Sequence, residues 1–424
     1  MFYRIIDLLA KEIHRKLTIS QTFNILLTSC DRFSHTPYYN NECEELGSAT
    51  NPNIYAIVSN KLIRLRNKFM PSENKEKRAM VRGDGTYPTV PLKKDTISIA
   101  IAQTRVKGVD GKTPHKGIRK NLDYLLECID IAQGFGGRSD LICFHEFPIT
   151  GFSNWSKEEH YKVAIEIPGA ETEEIGKKCK EHGCYIVFGT YAKDPDWPEH
   201  ILHLMVMINP EGDVVAKHWK QRNVRGMFPG SEQYTSAIYD VYDRFIEMYG
   251  QDQVIPVIQT DIGNIAMSAV QFEPELFRCM AFKGAEIICR VATGGFEYED
   301  MRLTSYHNSL YTLIANNSIN TGERNPGFFD DSNYGGPGRS AIFGPRGIEI
   351  AKAGAFETKI AASIPIKAFR EKHRIPDLHL TLYQPVFDQY QERYDSGLYL
   401  KTLPKNKQDA YKRFLENARW VHYW

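Results

Sequence analysis

The chain is predicted to fold as an α/β layered sandwich, on three observations. Its apolar segments switch between a period of two and a period of three to four, strands alternate with helices in the first half, and strands pair as hairpins in the second. The regular part begins at Thr96. TISIAIAQ places Ile97, Ile99 and Ile101 on one face of a strand. A helix follows, with Ile118, Leu122, Leu125, Leu126 and Ile129 at three- and four-residue spacing. DLICFHEF reads as a second, buried strand. After it come a helix over ETEEIGKKCKEHG closed by Gly183, a strand in CYIVFGTY, and a strand pair, HLMVMIN and DVVAKHW, around a Pro-Glu-Gly-Asp turn. Strands at VIPVIQTD and NIAMSAV, a helix in PELFRCMAFKG, a strand at EIICRVA, a helix through SYHNSLYT, a strand at YTLIANN and a final pair at SAIFGP and EIAKAG complete the pattern.

Composition narrows the function. With 424 residues, 42% hydrophobic and 25% charged, the chain is of ordinary globular type and long enough for a large core. Lys and Arg number 53 against 52 Asp and Glu, a net charge of +1 that offers no field for a nucleic-acid backbone, so no nucleic-acid partner is expected. The eight cysteines are scattered without a C-x-x-C pair, which argues against a zinc site or a redox dithiol and for small buried hydrophobes in a reducing, cytoplasmic compartment. No apolar run approaches the ~18 residues of a membrane helix, so no membrane partner is expected. MFYRIIDLLAKEIHRK interrupts its apolar pattern with Arg4, Asp7, Lys11 and Glu12, the mark of an amphipathic helix rather than a signal peptide. Residues 1–94 form an extension with that helix and a basic linker, carrying 15 basic and 9 acidic side chains. The expected catalytic domain is 95–365, and 366–424 form an aromatic-rich tail.

Three polar residues stand where apolar strands run out, which is where α/β proteins place reactive groups. They are Glu146 after LICFH, Lys220 after VVAKHW, and Ser268 after NIAM. A carboxylate, a lysine and a nucleophile position that converge suit acyl transfer, with a base to take the nucleophile's proton and donors to hold an oxyanion. His145 and His218, beside two of these positions, read as hydrogen-bonded packing residues because no second histidine has ligand spacing.

Through most of residues 96–365 the chain resembles the nitrilase/amidohydrolase superfamily. The matching segments are SIAIAQ, DLICFHEFPITG, GDVVAKHWKQ, PELFRCMAFKGAEIICR, YHNSLYTLIANN and GRSAIFGPRG, in the family's order. The resemblance implies a four-layer αββα fold with no metal and no cofactor, and hydrolysis of a non-peptide C–N bond in a small-molecule amide through an acyl-enzyme. It implies Glu146 as general base, Lys220 and the Ala269 backbone N–H as oxyanion donors, position 268 as nucleophile and a second glutamate between lysine and nucleophile. FPGSEQYTS offers Glu232 for that role, ahead of Glu247.

The departure is at the nucleophile, where the family carries cysteine and this chain has Ser268. A thiol of pKa ~8.5 can lose its proton to a nearby carboxylate, whereas a serine hydroxyl needs a histidine-type relay. Ser268 is therefore read either as a replacement that traps a ligand or as a natural loss of activity, and this chain as an inactive or greatly weakened form. GAEIICR and the lack of Trp after the nucleophile look closest to the aliphatic amidase, formamidase and hydrazidase branch. The rival readings are an N-carbamoyl amide hydrolase, with Arg290 or Arg278 binding a substrate carboxylate, and a silent binding or scaffold protein. The tail carries more aromatic side chains than it could bury against itself, among them Trp420 and Trp424. The resemblance implies at least a homodimer in which this tail crosses the subunit interface.

Overall fold

A computed structural model describes residues 82–225, 231–319 and 338–421; the amphipathic N-terminal segment and Trp424 lie outside them. The chain divides into two units, Met1–Ala79 and Met80–Trp424, and everything below belongs to the second.

Two sheets carry the fold. The first is built from β1 (Ile97–Gln103), β2 (Leu141–Cys143), β3 (Ile165–Glu166), β4 (Tyr185–Asp194), β5 (Trp197–Ile208), β6 (Val214–Trp219) and β13 (Thr358–Ile364). Its order is β13-β1-β2-β4-β5-β6, with the two-residue β3 beside β4. The second holds β7 (Ile258–Thr260), β8 (Gly263–Ser268), β9 (Ile287–Val291), β10 (Tyr311–Ala315), β11 (Ala341–Gly344) and β12 (Ile348–Lys352), in the order β12-β11-β10-β9-β8-β7. Ile97, Ile99, Ile101, Leu141, Val187, Met205 and Met207 of the first sheet meet Ile265, Met267, Ile287, Cys289 and Leu313 of the second in one buried cluster.

Helices cover the outer faces. α1 (Pro114–Gly134), α2 (Lys157–Val163) and α3 (Ala170–His182) lie on the first sheet; Ile118, Leu122, Leu125 and Ile129 of α1 and Ile175 and Cys179 of α3 join its outer core. Gly183 ends α3 in the left-handed conformation, φ 65°, where a side chain would be strained. α4 (Tyr242–Tyr249), which grows out of a 3₁₀ turn, buries Phe245 in the same core. On the second sheet, Phe277 and Met280 of α5 (Pro274–Phe282) pack on Ala266 and Ile288, and Met301 of α6 (Tyr298–Asn308) packs on Ile314 and Phe343. The result is the four-layer αββα arrangement.

Several elements escaped the sequence pattern, β13 and α2 among them. β13 pairs antiparallel with β1, Ile97 opposite Ile364, and ties the end of the domain to its beginning. Its segment TKIAASI is half exposed and gains strand identity from that partner. α2 was masked by its shortness, although Ser156 and Glu159 form a reciprocal capping box at its start.

After β13 the tail forms α7 (Ile366–Lys372), α8 (Leu380–Phe387) and α9 (Lys407–Asn417). Part of it folds back on its own sandwich. Tyr399 and Ala410 enter the outer core of the first sheet, and Phe414 is buried beneath Tyr394 at 5.5 Å between ring centres. Leu382, Val386 and Phe387 of α8 remain exposed.

Candidate active site

Strand direction brings the three chain segments together. β6 runs antiparallel to β5 and β5 antiparallel to β4, so β6 points the same way as β4 and its parallel neighbour β2. Glu146 beyond β2 and Lys220 beyond β6 therefore emerge at one edge of the first sheet. Ser268 ends β8, which runs parallel to β9. The Glu146 N–H approaches the Ala292 carbonyl just past β9 at 3.4 Å, bridging the two sheets beside the site. Gly189 makes room for the Glu146 turn, since a Cβ there would sit 2.5 Å from the Glu146 carbonyl oxygen.

At this edge two buried carboxylates share two nitrogen partners. Lys220 Nζ lies 3.5 Å from Glu146 Oε1 and donates to Glu232 Oε2 at 3.3 Å. The His203 ring, fully buried, sits between the same carboxylates, with Nε2 3.1 Å from Glu146 Oε1 and Nδ1 3.7 Å from Glu232 Oε2. The Tyr191 hydroxyl donates to Glu232 Oε1 at 2.5 Å.

The two carboxyls are driven apart. Burial pushes Glu146 above the usual carboxylate range, only partly offset by Lys220 and His203. Burial acts the same way on Glu232, but Lys220, His203 and the Tyr191 hydroxyl outweigh it and hold that carboxyl well below the usual range. Glu146 is thus the carboxyl biased toward taking up a proton and Glu232 the one biased toward staying anionic, the division of labour that acid–base chemistry uses.

Glu232 is held from behind. Arg225, buried, pairs with Asp240 at 2.6 Å and donates to the carbonyl oxygens of Glu232 at 3.0 Å and Thr235 at 2.8 Å. Its guanidinium stacks 4.6 Å from the centre of the Tyr399 ring, and the Tyr399 hydroxyl donates to the Gln233 carbonyl. The tail thereby helps position the Glu232 loop.

Ser268 is fully buried. Its hydroxyl donates to Gln221 Oε1 at 3.0 Å and accepts from the Val270 N–H at 3.1 Å. Gln221 follows Lys220, so the serine is linked to the lysine strand, while Ala269 and Val270 face the same cavity as Glu146, Lys220 and Glu232.

Arg290 does not suit the substrate-binding role its sequence position suggested. It is buried on β9, where it pairs with Asp300 at 2.6 Å, donates to Thr304 and to the Val270 carbonyl at 2.8 Å each, and lies over Phe277. These contacts brace the turn after Ser268, and Arg290 itself is not among the residues lining the cavity. Glu247 is exposed on α4. His145 is a packing residue, accepting from the Phe147 N–H at 3.2 Å, with burial pushing its ring down to about 3; burial does the same to His218.

Sequence reasoning missed His203, Tyr191 and Arg225. His203 left one signal: it shares the strand parity of Met205 and Met207, which face the second sheet, and a lone imidazole on that face needs a polar partner.

This edge, with its split carboxyl pair and bridging lysine on an αββα sandwich, has the makings of a hydrolase site. A model of the carbon–nitrogen hydrolase family matches residues 99–373, and the chain belongs to that family. Among curated relatives, it is 24% identical over 225 residues to omega-amidase NIT2 of Xenopus tropicalis, covering 51% of this chain and 74% of the relative. It is 26% identical over 245 residues to a nitrilase of Pyrococcus abyssi, covering 57% and 82%. Among solved structures, a carbon–nitrogen hydrolase from Helicobacter pylori superposes with a TM-score of 0.53 at 16% identity, over 70% of this chain and 100% of that one. A double mutant of the amidase from Nesterenkonia sp. in complex with acrylamide does so with a TM-score of 0.50 at 18% identity, over 70% and 100%. These likenesses establish the shared fold. Among the described residues no helix is long and apolar enough to cross a membrane.

Proposed function

We propose that the site is that of an amidase acting on linear amides, working through a covalent acyl-enzyme at position 268, and that Ser268 leaves this chain inactive or nearly so. The observation that carries the reading is the Glu146–Lys220–Glu232 cluster, in which one ammonium bridges a carboxyl of raised pKa and one of lowered pKa. With cysteine at 268, Glu146 would accept the thiol proton as sulfur attacks the amide carbon. The Lys220 ammonium and the Ala269 N–H would hold the oxyanion, and Glu146 would return the proton to the departing amine. Water would then hydrolyse the thioester along the same path. Glu232 would hold Lys220 in place.

Two observations favour a silent form of this chain. The single proton of the Ser268 hydroxyl is directed at Gln221 rather than at a carboxylate, and a serine hydroxyl is far less acidic than a thiol. Arg290, one of the two arginines the N-carbamoyl reading would use for a substrate carboxylate, is engaged inside the protein. We further propose a cytoplasmic enzyme that acts as a homodimer or higher oligomer.

The test is Ser268→Cys. Amide turnover should rise by several orders of magnitude, and the mass spectrum should show a transient acyl adduct confined to residue 268. Equal rates in the two forms, with no adduct, would overturn the proposal.

A further inference from the structure

The cavity above the carboxylate cluster has an outer wall made by the C-terminal tail. Its volume is about 1100 Å³, just above the ~300–1000 Å³ range of pockets for drug-sized ligands, so a two-carbon amide would leave most of it empty. The floor is polar and buried, with Glu146, Lys220 and Glu232. The rim carries three partly exposed aromatic rings among charged side chains that include Arg222, Glu273 and Glu392. Phe272 is 41%, Tyr390 64% and Trp420 41% exposed, and all three line this one cavity. Tyr390 and Trp420 come from the tail.

The tail is fastened where it forms this wall. Arg393 Nε donates to the Trp420 carbonyl at 3.1 Å, and the Arg419 N–H donates to the Arg393 carbonyl at 2.8 Å. The Arg393 guanidinium lies 4.8 Å from the centre of the buried Phe414 ring. The Tyr239 hydroxyl donates to the Tyr394 carbonyl at 2.6 Å, and the Tyr399 N–H donates to the Asp240 carbonyl at 2.9 Å. Tyr390 and Trp420 thus stand on a braced support built by their own chain, and large aromatic rings left in water above a polar floor are suited to receive another ring.

We infer that residues 390–420 complete the substrate site in cis and that the rim selects arylalkyl amides, the carboxamide resting on the Glu146–Lys220–Glu232 floor and the ring against Phe272, Tyr390 and Trp420. The inference rests on the amidase reading for the identity of the polar end. It makes Tyr390 and Trp420 specificity residues that touch the part of the substrate remote from the scissile bond.

Two measurements with hydrocinnamamide test it. Calorimetric binding to the Ser268 protein needs no turnover; replacing both rings (Tyr390→Ala, Trp420→Ala) should weaken it about tenfold, two stacking contacts being lost, and Trp420→Phe alone should retain most of it. In Ser268→Cys protein, the ratio of kcat/KM for hydrocinnamamide to that for acetamide should fall by a similar factor when both rings are removed. Absence of binding, or equal binding with and without the rings, would overturn the inference. Ring-dependent binding without turnover in the cysteine form would sustain the rim and defeat the amidase reading. Turnover with an unchanged ratio would do the reverse.

Discussion

Replacing Lys220 by Met removes one charge and keeps much of the volume, and the geometry says what that should cost. The ammonium faces one carboxylate at 3.5 Å and another at 3.3 Å, both buried. At an effective dielectric constant of ~20 each contact is about 5 kcal/mol before desolvation. Removing the ammonium from water offsets several kcal/mol of this, so the expected net loss is the ~3–5 kcal/mol typical when one partner of a buried pair is removed. The loss should depend on pH. Without Lys220 the pKa of Glu146, already raised by burial, rises further. A carboxyl whose pKa is higher folded than unfolded makes the native state bind more protons, so stability falls as pH climbs from the unfolded value of ~4.3 toward the folded one. Urea unfolding of both proteins at pH 5 and pH 8, followed by tryptophan fluorescence, should show the larger deficit at pH 8. Adding Glu146→Gln should recover most of it. A deficit below ~1 kcal/mol, or one equal at the two pH values, would refute the picture of two buried carboxylates held by one lysine.

Other consequences follow from the same contacts. Glu232, whose pKa is lowered, contributes stability above its unfolded value of ~4.3 that is lost as pH falls through the folded one, so Glu232→Gln should be less stable at pH 7 and show a shallower acid limb in unfolding. Tyr191→Phe deletes a hydrogen bond to a charged acceptor and should cost ~1.5–3 kcal/mol at pH 7, with part of the loss recovered below pH 4. Phe414→Ala empties a fully buried site and should cost ~3–5 kcal/mol, while Leu382→Ala on exposed α8 should stay within ~0.5 kcal/mol. Because Phe414 is buried within its own chain, the Phe414→Ala deficit should be the same at protein concentrations tenfold apart.

The cluster also explains why the glutamates differ although both are buried. Glu146 has the edge of β2 and the opposing sheet around it, and its charge is opposed mainly by desolvation. Lys220 and His203 face both carboxyls, but Glu232 alone has the Tyr191 phenol donating to its carboxylate and a guanidinium behind its backbone. The Tyr191 hydroxyl, not the degree of burial, is the side-chain contact that separates them.

The sequence by itself determined most of the strands and helices of the sandwich, because side-chain period is a local property: Ile97, Ile99 and Ile101 announce β1, and Ile118 through Ile129 announce the buried face of α1. The matching segments in their order announced the family, and Glu146, Lys220 and Ser268 could be picked out because each is a polar residue at the end of an apolar strand. Only the tertiary structure decided the rest. His203 and Tyr191 reach Glu232 from β5 and β4, Arg225 acts on its loop through an ion pair with Asp240, and Tyr399 braces that loop from 166 positions further along the chain. β13 becomes a strand through its pairing with β1. Arg290 looked like a substrate anchor in sequence and proved to be spent on Asp300 and Thr304. Each depends on groups brought together across chain reversals, and neither the charge a buried side chain carries nor the partner it finds is encoded in its immediate neighbours.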